Sequence, residues 1–88
     1  MSRAKASSEL DVVFRHEAGR LQAYLLRRLG PRHFDLAEEA VADAFLAAAK
    51  TWPVAGAPRD PRAWLLGVAH RKALDRLRRV IGLDEVRR

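Results

Sequence analysis

Residues 35–52 read DLAEEAVADAFLAAAKTW, a stretch in which apolar side chains return every three or four positions. This spacing places them on one face of an α-helix, and the alanines among them let a second helix approach closely. Asp35 is predicted to be the N-cap with Glu38 reciprocating, and Pro53 is predicted to end the helix. The predicted inward stripe consists of Ala37, Ala40, Val41, Ala44, Phe45, Ala48 and Trp52.

A second helix is predicted on the N-terminal side, from about Glu9 to Leu29. Ser8 is its predicted N-cap, and Gly30 followed by Pro31 stops it. Its inward residues also recur at helical spacing, and they are Leu10, Val13, Phe14, Leu21, Leu25 and Leu29.

The C-terminal side begins with a predicted loop, Pro53 to Arg59, where proline and glycine are frequent. Asp60 is the predicted N-cap of a third helix with Pro61 at its first position, and this helix is predicted to end near Gly82. Its predicted inward residues are Trp64, Leu65, Val68, Ala69, Leu74, Leu77, Val80 and Ile81. Trp64 and Trp52 lie on apolar stripes, which favours core packing over base stacking.

These elements predict an all-α fold, a compact three-helix bundle with an extra short turn as an option at the C-terminus. The 88 residues suit one domain. We expect residues 1–8 to be a flexible lead, residues 9–81 to form the helical domain, and residues 82–88 to be a tail or the start of a linker.

The composition argues against an enzyme, a metal site or a cofactor. The chain has no cysteine, and His16, His33 and His70 lie on different segments without a carboxylate at metal-binding spacing. It contains neither a glycine-rich phosphate loop nor a serine elbow. No apolar stretch is long enough to span a bilayer, and the N-terminus lacks the apolar core of a signal peptide. We therefore expect a cytoplasmic protein with no membrane partner.

The charge is unevenly distributed along the chain. Residues 1–50 contain eight basic and seven acidic side chains, whereas residues 51–88 contain nine and four. Most of the basic residues are arginine, whose planar fork suits phosphate. This pattern indicates a polyanionic partner for the C-terminal half. On charge alone, a coding bias toward arginine and alanine is the alternative explanation.

Two runs of sequence resemble a known family. Residues 37–46, AEEAVADAFL, resemble the pattern A-E-D-L-V-Q-E-T-F-L of region 2.2 in sigma-70 family RNA polymerase sigma factors. Residues 62–79, RAWLLGVAHRKALDRLRR, resemble regions 2.3 and 2.4. The segment WPVAGAP at 52–58, followed by PRAWLL at 61–66, is most similar to the extracytoplasmic-function (ECF) branch. The sequence departs from the family pattern at Ala42, where Gln is usual, and at His70-Arg71, where Arg-Asn is frequent.

The resemblance implies a region 2 domain of a transcription initiation factor. In the family, the region 2.2 helix docks on the clamp helices of the polymerase β′ subunit. The following loop and helix capture the non-template strand of the promoter −10 element as the duplex opens. An anti-sigma protein is a further candidate partner. The domain that reads the −35 element in a complete factor is not found after Gly82.

The resemblance and the helical spacing together assign candidate residues to these two roles. The candidates for polymerase docking share one stripe of the predicted helix over residues 35–52, which Lys50 continues: Glu39, Ala42, Asp43 and Leu46. The DNA-binding candidates are the basic side chains of the loop and third helix: Arg59, Arg62, His70, Arg71, Lys72, Arg76, Arg78 and Arg79. Asp75 is the exception on that helix, because it can pair with Arg71, Arg78 or Arg79.

Two rival functions remain open at this point. One is a helix-turn-helix regulator that reads duplex DNA, which requires a turn of about three or four residues between its last two helices. The predicted loop is about twice that length, which argues against it. The other is a purely protein-binding helical domain, which predicts no affinity for DNA.

Overall fold

The structure is a computed structural model that describes the backbone of residues 2–87 and the side chains of residues 10–82. Its elements are helix α1 (Ser2–Leu29), a 3₁₀ turn (Pro31–His33), helix α2 (Phe34–Ala55) and helix α3 (Pro61–Arg87). Within residues 2–87 there is no strand, which confirms the predicted all-α, three-helix fold. No helix among the described residues is both long enough and apolar enough to cross a membrane.

Two of the predicted helix boundaries are confirmed. α1 ends at Leu29, and Gly30 follows with a φ of 93°, a conformation that glycine adopts without steric cost. α3 begins at Pro61, where the Asp60 carboxylate accepts a hydrogen bond of 3.1 Å from the backbone N–H of Ala63. This contact satisfies one of the free N–H groups at the helix start.

The predicted caps of the first two helices are wrong. α1 begins at Ser2, so Ser8 lies inside the helix. The residues before Ser8 include alanine, arginine and lysine, which favour helix without a cap at that point. α2 begins at Phe34 because the 3₁₀ turn leads directly into it, so Asp35 lies in the first turn. There its charge complements the helix dipole.

The predicted ends of α2 and α3 are also wrong. α2 continues past Pro53 to Ala55, and it stops where Gly56 adopts a φ of 90° and donates its N–H to the Trp52 carbonyl over 2.7 Å. A proline in the last turn removes one backbone donor, and the helix ends only at the glycine. The connection therefore covers residues 56–60 and is shorter than predicted. α3 passes Gly82, whose φ is not positive, and continues to Arg87.

The predicted division into lead, domain and tail remains a prediction. The backbone is helical over residues 2–8 and over residues 82–87. The side chains of the lead, and those beyond Gly82, lie outside the described residues.

The core confirms the predicted stripe of α2 in full. Every residue of that stripe is buried: Ala37, Ala40, Val41, Ala44, Phe45, Ala48 and Trp52. α1 contributes Leu21 and Leu25, and α3 contributes Leu65, Ala69 and Ala73. The small α2 side chains let both neighbours pack closely, so that one apolar centre serves all three helices. Ala73 was absent from the predicted stripe of α3.

Three large apolar side chains are more exposed than predicted. Val80 and Ile81 are 46% and 49% exposed, so their assignment to the inward stripe is wrong. Arg76 of α3 lies beside Glu39, which is only five residues from the start of α2. Little of α2 is therefore left to cover the next turn of α3, where Val80 and Ile81 lie. Phe14 is 49% exposed, but its ring still packs edge-on against Phe45 with 4.8 Å between centroids.

Candidate functional site

The outer face of α2 carries an exposed stripe opposite its buried face. Glu39, Ala42 and Lys50 are exposed, and Leu46 is 58% exposed. Asp43 belongs to the same stripe but is only half-exposed. An exposed leucine beside acidic side chains can contact a partner helix. The spacing of the four predicted docking residues along α2 places them on this one outer face.

Arg76 of α3 joins this face from the neighbouring helix. Its Nη2 donates a hydrogen bond to Asp43 Oδ2, and its Nη1 lies 3.3 Å from Glu39 Oε2. The Arg76 and Asp43 side chains are both 30% exposed. Asp43 was predicted to bind polymerase and Arg76 to bind DNA, but the structure brings them together. The sequence carries no signal for this contact, because it depends on how α2 and α3 are aligned.

Four further cations of α3 face solvent between residues 71 and 79. Arg71, Lys72, Arg78 and Arg79 are exposed, and His70 is half-exposed. Arg78 Nη1 lies 3.8 Å from Asp75 Oδ1, three positions earlier, which confirms one of the three partners predicted for Asp75. At this exposure such a pair contributes little to stability.

Two lysines line a cleft at the boundary between the two surfaces. Lys50 of α2 and Lys72 of α3 line one shallow cleft of about 290 Å³, together with Asp43, Leu46 and Ala47. Sequence reasoning placed Lys50 on the docking stripe and Lys72 on the DNA-facing helix. The structure therefore makes the two surfaces adjacent across the α2–α3 boundary.

Arg62 is separate from the other cations because it contacts α1. Its Nη2 donates to Glu17 Oε1 over 2.7 Å. This hydrogen bond lowers the pKa of Glu17 below its ordinary value, and the same bond raises the pKa of Arg62. Sequence reasoning missed Glu17, since nothing distinguished it from the other acids of the first helix or indicated a partner 45 positions away. Arg59, in the connection, is exposed.

The two tryptophans pack against each other beneath the connection. Trp52 is 3% exposed and Trp64 is half-buried, with ring centroids 5.4 Å apart in an edge-to-face arrangement. The preference for core packing over base stacking is thus confirmed for Trp52. Among residues 10–82, no group of histidine and acidic side chains is arranged to hold a metal ion.

The outer face of α2 and the basic helix α3 lie side by side. One family profile spans both of these elements. The profile of Sigma-70 region 2 matches residues 13–80, which is most of the chain. The chain belongs to the sigma-70 region 2 family. This region 2 domain thus has its docking candidates on α2 and its DNA candidates on the connection and α3, in the order that the resemblance implied.

The chain is also similar in sequence to a protein of a named bacterium. An uncharacterized protein of Rhizobium meliloti (strain 1021) is 50% identical to this region 2 domain over 48 residues. Those residues make up 54% of the chain but only 11% of that protein. No solved structure matches the chain.

Proposed function

We propose that the chain is the region 2 module of an ECF-type sigma factor. It docks on the clamp helices of the RNA polymerase β′ subunit through α2, and it binds the non-template strand of the −10 element through the connection and α3. It acts by binding and not by catalysis, and it works in the cytoplasm. An anti-sigma protein is its candidate regulator.

The observation that carries this proposal is the family profile over residues 13–80, combined with the position of Leu46. Leu46 is 58% exposed on the outer face of α2, so its side chain is available to contact a partner helix. Glu39 and Asp43 lie beside it, and their charge suits a partner helix that bears arginines. Ala42 adds a flat surface that lets such a helix approach.

DNA binding is supported by the cations that remain available. Arg59, Arg71, Lys72 and Arg79 are exposed, and none has an ion-pair partner among the described residues. Side chains of this kind bind phosphates, and each phosphate contact releases counterions. Two further predicted DNA-binding residues, His70 and Arg78, lie on the same helix as the last three of these cations. Capture of an unstacked base costs a few kcal/mol, which favours an element that melts easily.

The ECF assignment is supported by the segment between α2 and α3. Trp52, Pro53, Gly56 and Pro58 occupy the positions of the branch's W-P-x-x-G-x-P pattern. In the structure these residues form the end of α2, its glycine stop and the short connection. The segment therefore supports the resemblance to the ECF branch, and it leads directly into α3, the helix proposed to face DNA.

The test compares single strands with duplex DNA. The purified chain is mixed with a β′ clamp-helix fragment and with A·T-rich oligonucleotides, either single-stranded or paired with their complements. We expect fluorescence anisotropy to show tighter binding of the single strand, and an increase in that affinity when the fragment is present. Tighter binding of the duplex would support the helix-turn-helix rival, and the absence of DNA binding would support the protein-binding rival.

A further inference from the structure

Arg62 lies where the connection joins α3, and it contacts α1. It is the second residue of α3, immediately after the connection at residues 56–60. Its bond to Glu17 joins α3 to α1, and the Glu17 side chain is only 12% exposed. The second carboxylate oxygen of Glu17 is buried and has no hydrogen-bond partner among the described residues. The Glu17 carboxylate is thus largely removed from solvent, and among the described residues its hydrogen bond comes from Arg62.

The start of α3 is held by three contacts from different directions. Asp60 caps the Ala63 N–H, Trp64 packs against Trp52 of α2, and Glu17 of α1 binds Arg62. The first two contacts join α3 to the connection and to α2. The third is the ion pair that ties the junction to α1, and the shifts in both pKa values show that it favours the charged forms.

We infer that Glu17 and Arg62 are positioning residues. Their ion pair holds the connection and the first turn of α3 in the orientation that receives the DNA strand, and Arg62 itself does not bind a phosphate. This inference rests on the proposed function and refines it. It removes Arg62 from the predicted phosphate contacts and gives a role to Glu17, to which the sequence assigned none.

The salt dependence of DNA binding distinguishes a positioning residue from a phosphate contact. Loss of one phosphate contact reduces the slope of log affinity against log salt by about 0.7 for a single strand. We therefore compare the wild-type chain with Glu17→Gln, Arg62→Gln and the control Arg71→Gln, each titrated with single-stranded DNA at several salt concentrations.

Positioning predicts that Glu17→Gln and Arg62→Gln weaken binding to a similar extent and leave the slope unchanged. The DNA affinity falls roughly threefold if, without the ion pair, the first turn of α3 adopts its DNA-receiving orientation about a third of the time. Arg71→Gln reduces the slope. The inference is overturned if Arg62→Gln reduces the slope as Arg71→Gln does, or if Glu17→Gln strengthens binding by releasing Arg62.

A charge swap gives an independent comparison. In Glu17→Arg with Arg62→Glu the pair can form again with its polarity reversed, and the net charge of the chain is unchanged. Positioning predicts that the affinity returns toward the wild-type value. A phosphate contact at Arg62 predicts that the swap binds more weakly than Arg62→Gln, because a carboxylate would then face the DNA.

A measurement without DNA separates this inference from the proposed function. Hydrogen exchange of the Ala63 and Trp64 amides reports the first turn of α3, since both N–H groups bond to Asp60. We expect faster exchange at both amides in Glu17→Gln. If the wild-type chain binds no DNA, the proposed function fails while this result still tests the pair. Unchanged exchange overturns the inference.

Discussion

Arg76 contacts two acids of the α2 outer face, whereas Arg71, Lys72 and Arg79 on the same helix are exposed to solvent. The Arg76 guanidinium bonds to Asp43 and approaches Glu39 one turn earlier. Because the Arg76 and Asp43 side chains are only 30% exposed, their ion pair is screened by salt less than a fully exposed pair would be. Asp43 therefore contributes to the packing of α2 on α3 as well as to the proposed docking face.

This dual role determines how Asp43 must be tested. We expect Asp43→Arg to abolish clamp-helix binding and also to reduce the free energy of unfolding by roughly 1–3 kcal/mol, because it breaks the bond and places two arginines together. Urea unfolding measures the second effect. The single variant alone cannot separate docking from stability.

The matched control is the swap Asp43→Arg with Arg76→Asp. It restores an ion pair across α2 and α3, so we expect stability to return toward the wild-type value while docking stays lost. If docking returned together with stability, Asp43 would be a structural residue and would not contact the polymerase.

The helices differ in how well the local sequence predicts where each of them begins and ends. The start of α3 combines a capping aspartate with a proline at the first position, and the structure follows this local signal. The stop of α2 is instead decided by Gly56, three residues after the proline that was predicted to end it. Local chemistry predicts a boundary well where cap and backbone geometry agree.

The cap of α3 provides a prediction about a single element. We expect Asp60→Ala to lower the free energy of unfolding by about 1 kcal/mol, because the Ala63 N–H then loses its acceptor. Asp60→Asn keeps an acceptor oxygen and serves as the control, with a much smaller loss. Equal losses in chemical denaturation would show that the charge of Asp60, and not its cap, supports the helix.

The sequence predicted the core stripe of α2 completely, because a helix buried along one face repeats its pattern whatever packs against it. It could not predict the pairs Asp43–Arg76 and Glu17–Arg62, which depend on the alignment of helices far apart in the chain. For the same reason it misplaced Val80 and Ile81. Both continue the apolar pattern of α3, but they lie beyond the part of α3 that packs on α2 and are exposed.

The whole bundle depends on one small core shared by three helices. Leu25 of α1 and Leu65 of α3 are its largest fully buried side chains. We expect Leu25→Ala to cost about 2–5 kcal/mol, since it leaves a cavity among residues that cannot all move inward. A domain of this size has little stability in reserve, so the variant should be largely unfolded at physiological temperature.

A leucine-to-alanine substitution at the exposed Leu46 should have the opposite effects to Leu25→Ala. Leu46→Ala should leave thermal unfolding nearly unchanged, because the Leu46 side chain lies outside the core. It should weaken clamp-helix binding, because Leu46 belongs to the proposed docking face. Circular dichroism melting of both leucine variants checks this contrast. A melting temperature lowered as much by Leu46→Ala as by Leu25→Ala would contradict the assignment of the α2 outer face.

Binding of the purified wild-type chain to an isolated β′ clamp-helix fragment, measured by titration calorimetry, tests the central claim most directly. We predict a dissociation constant in the micromolar range, on the order of −8 kcal/mol of binding free energy. A sample that circular dichroism shows to be folded and helical, yet does not bind the fragment at concentrations far above that range, would contradict the account.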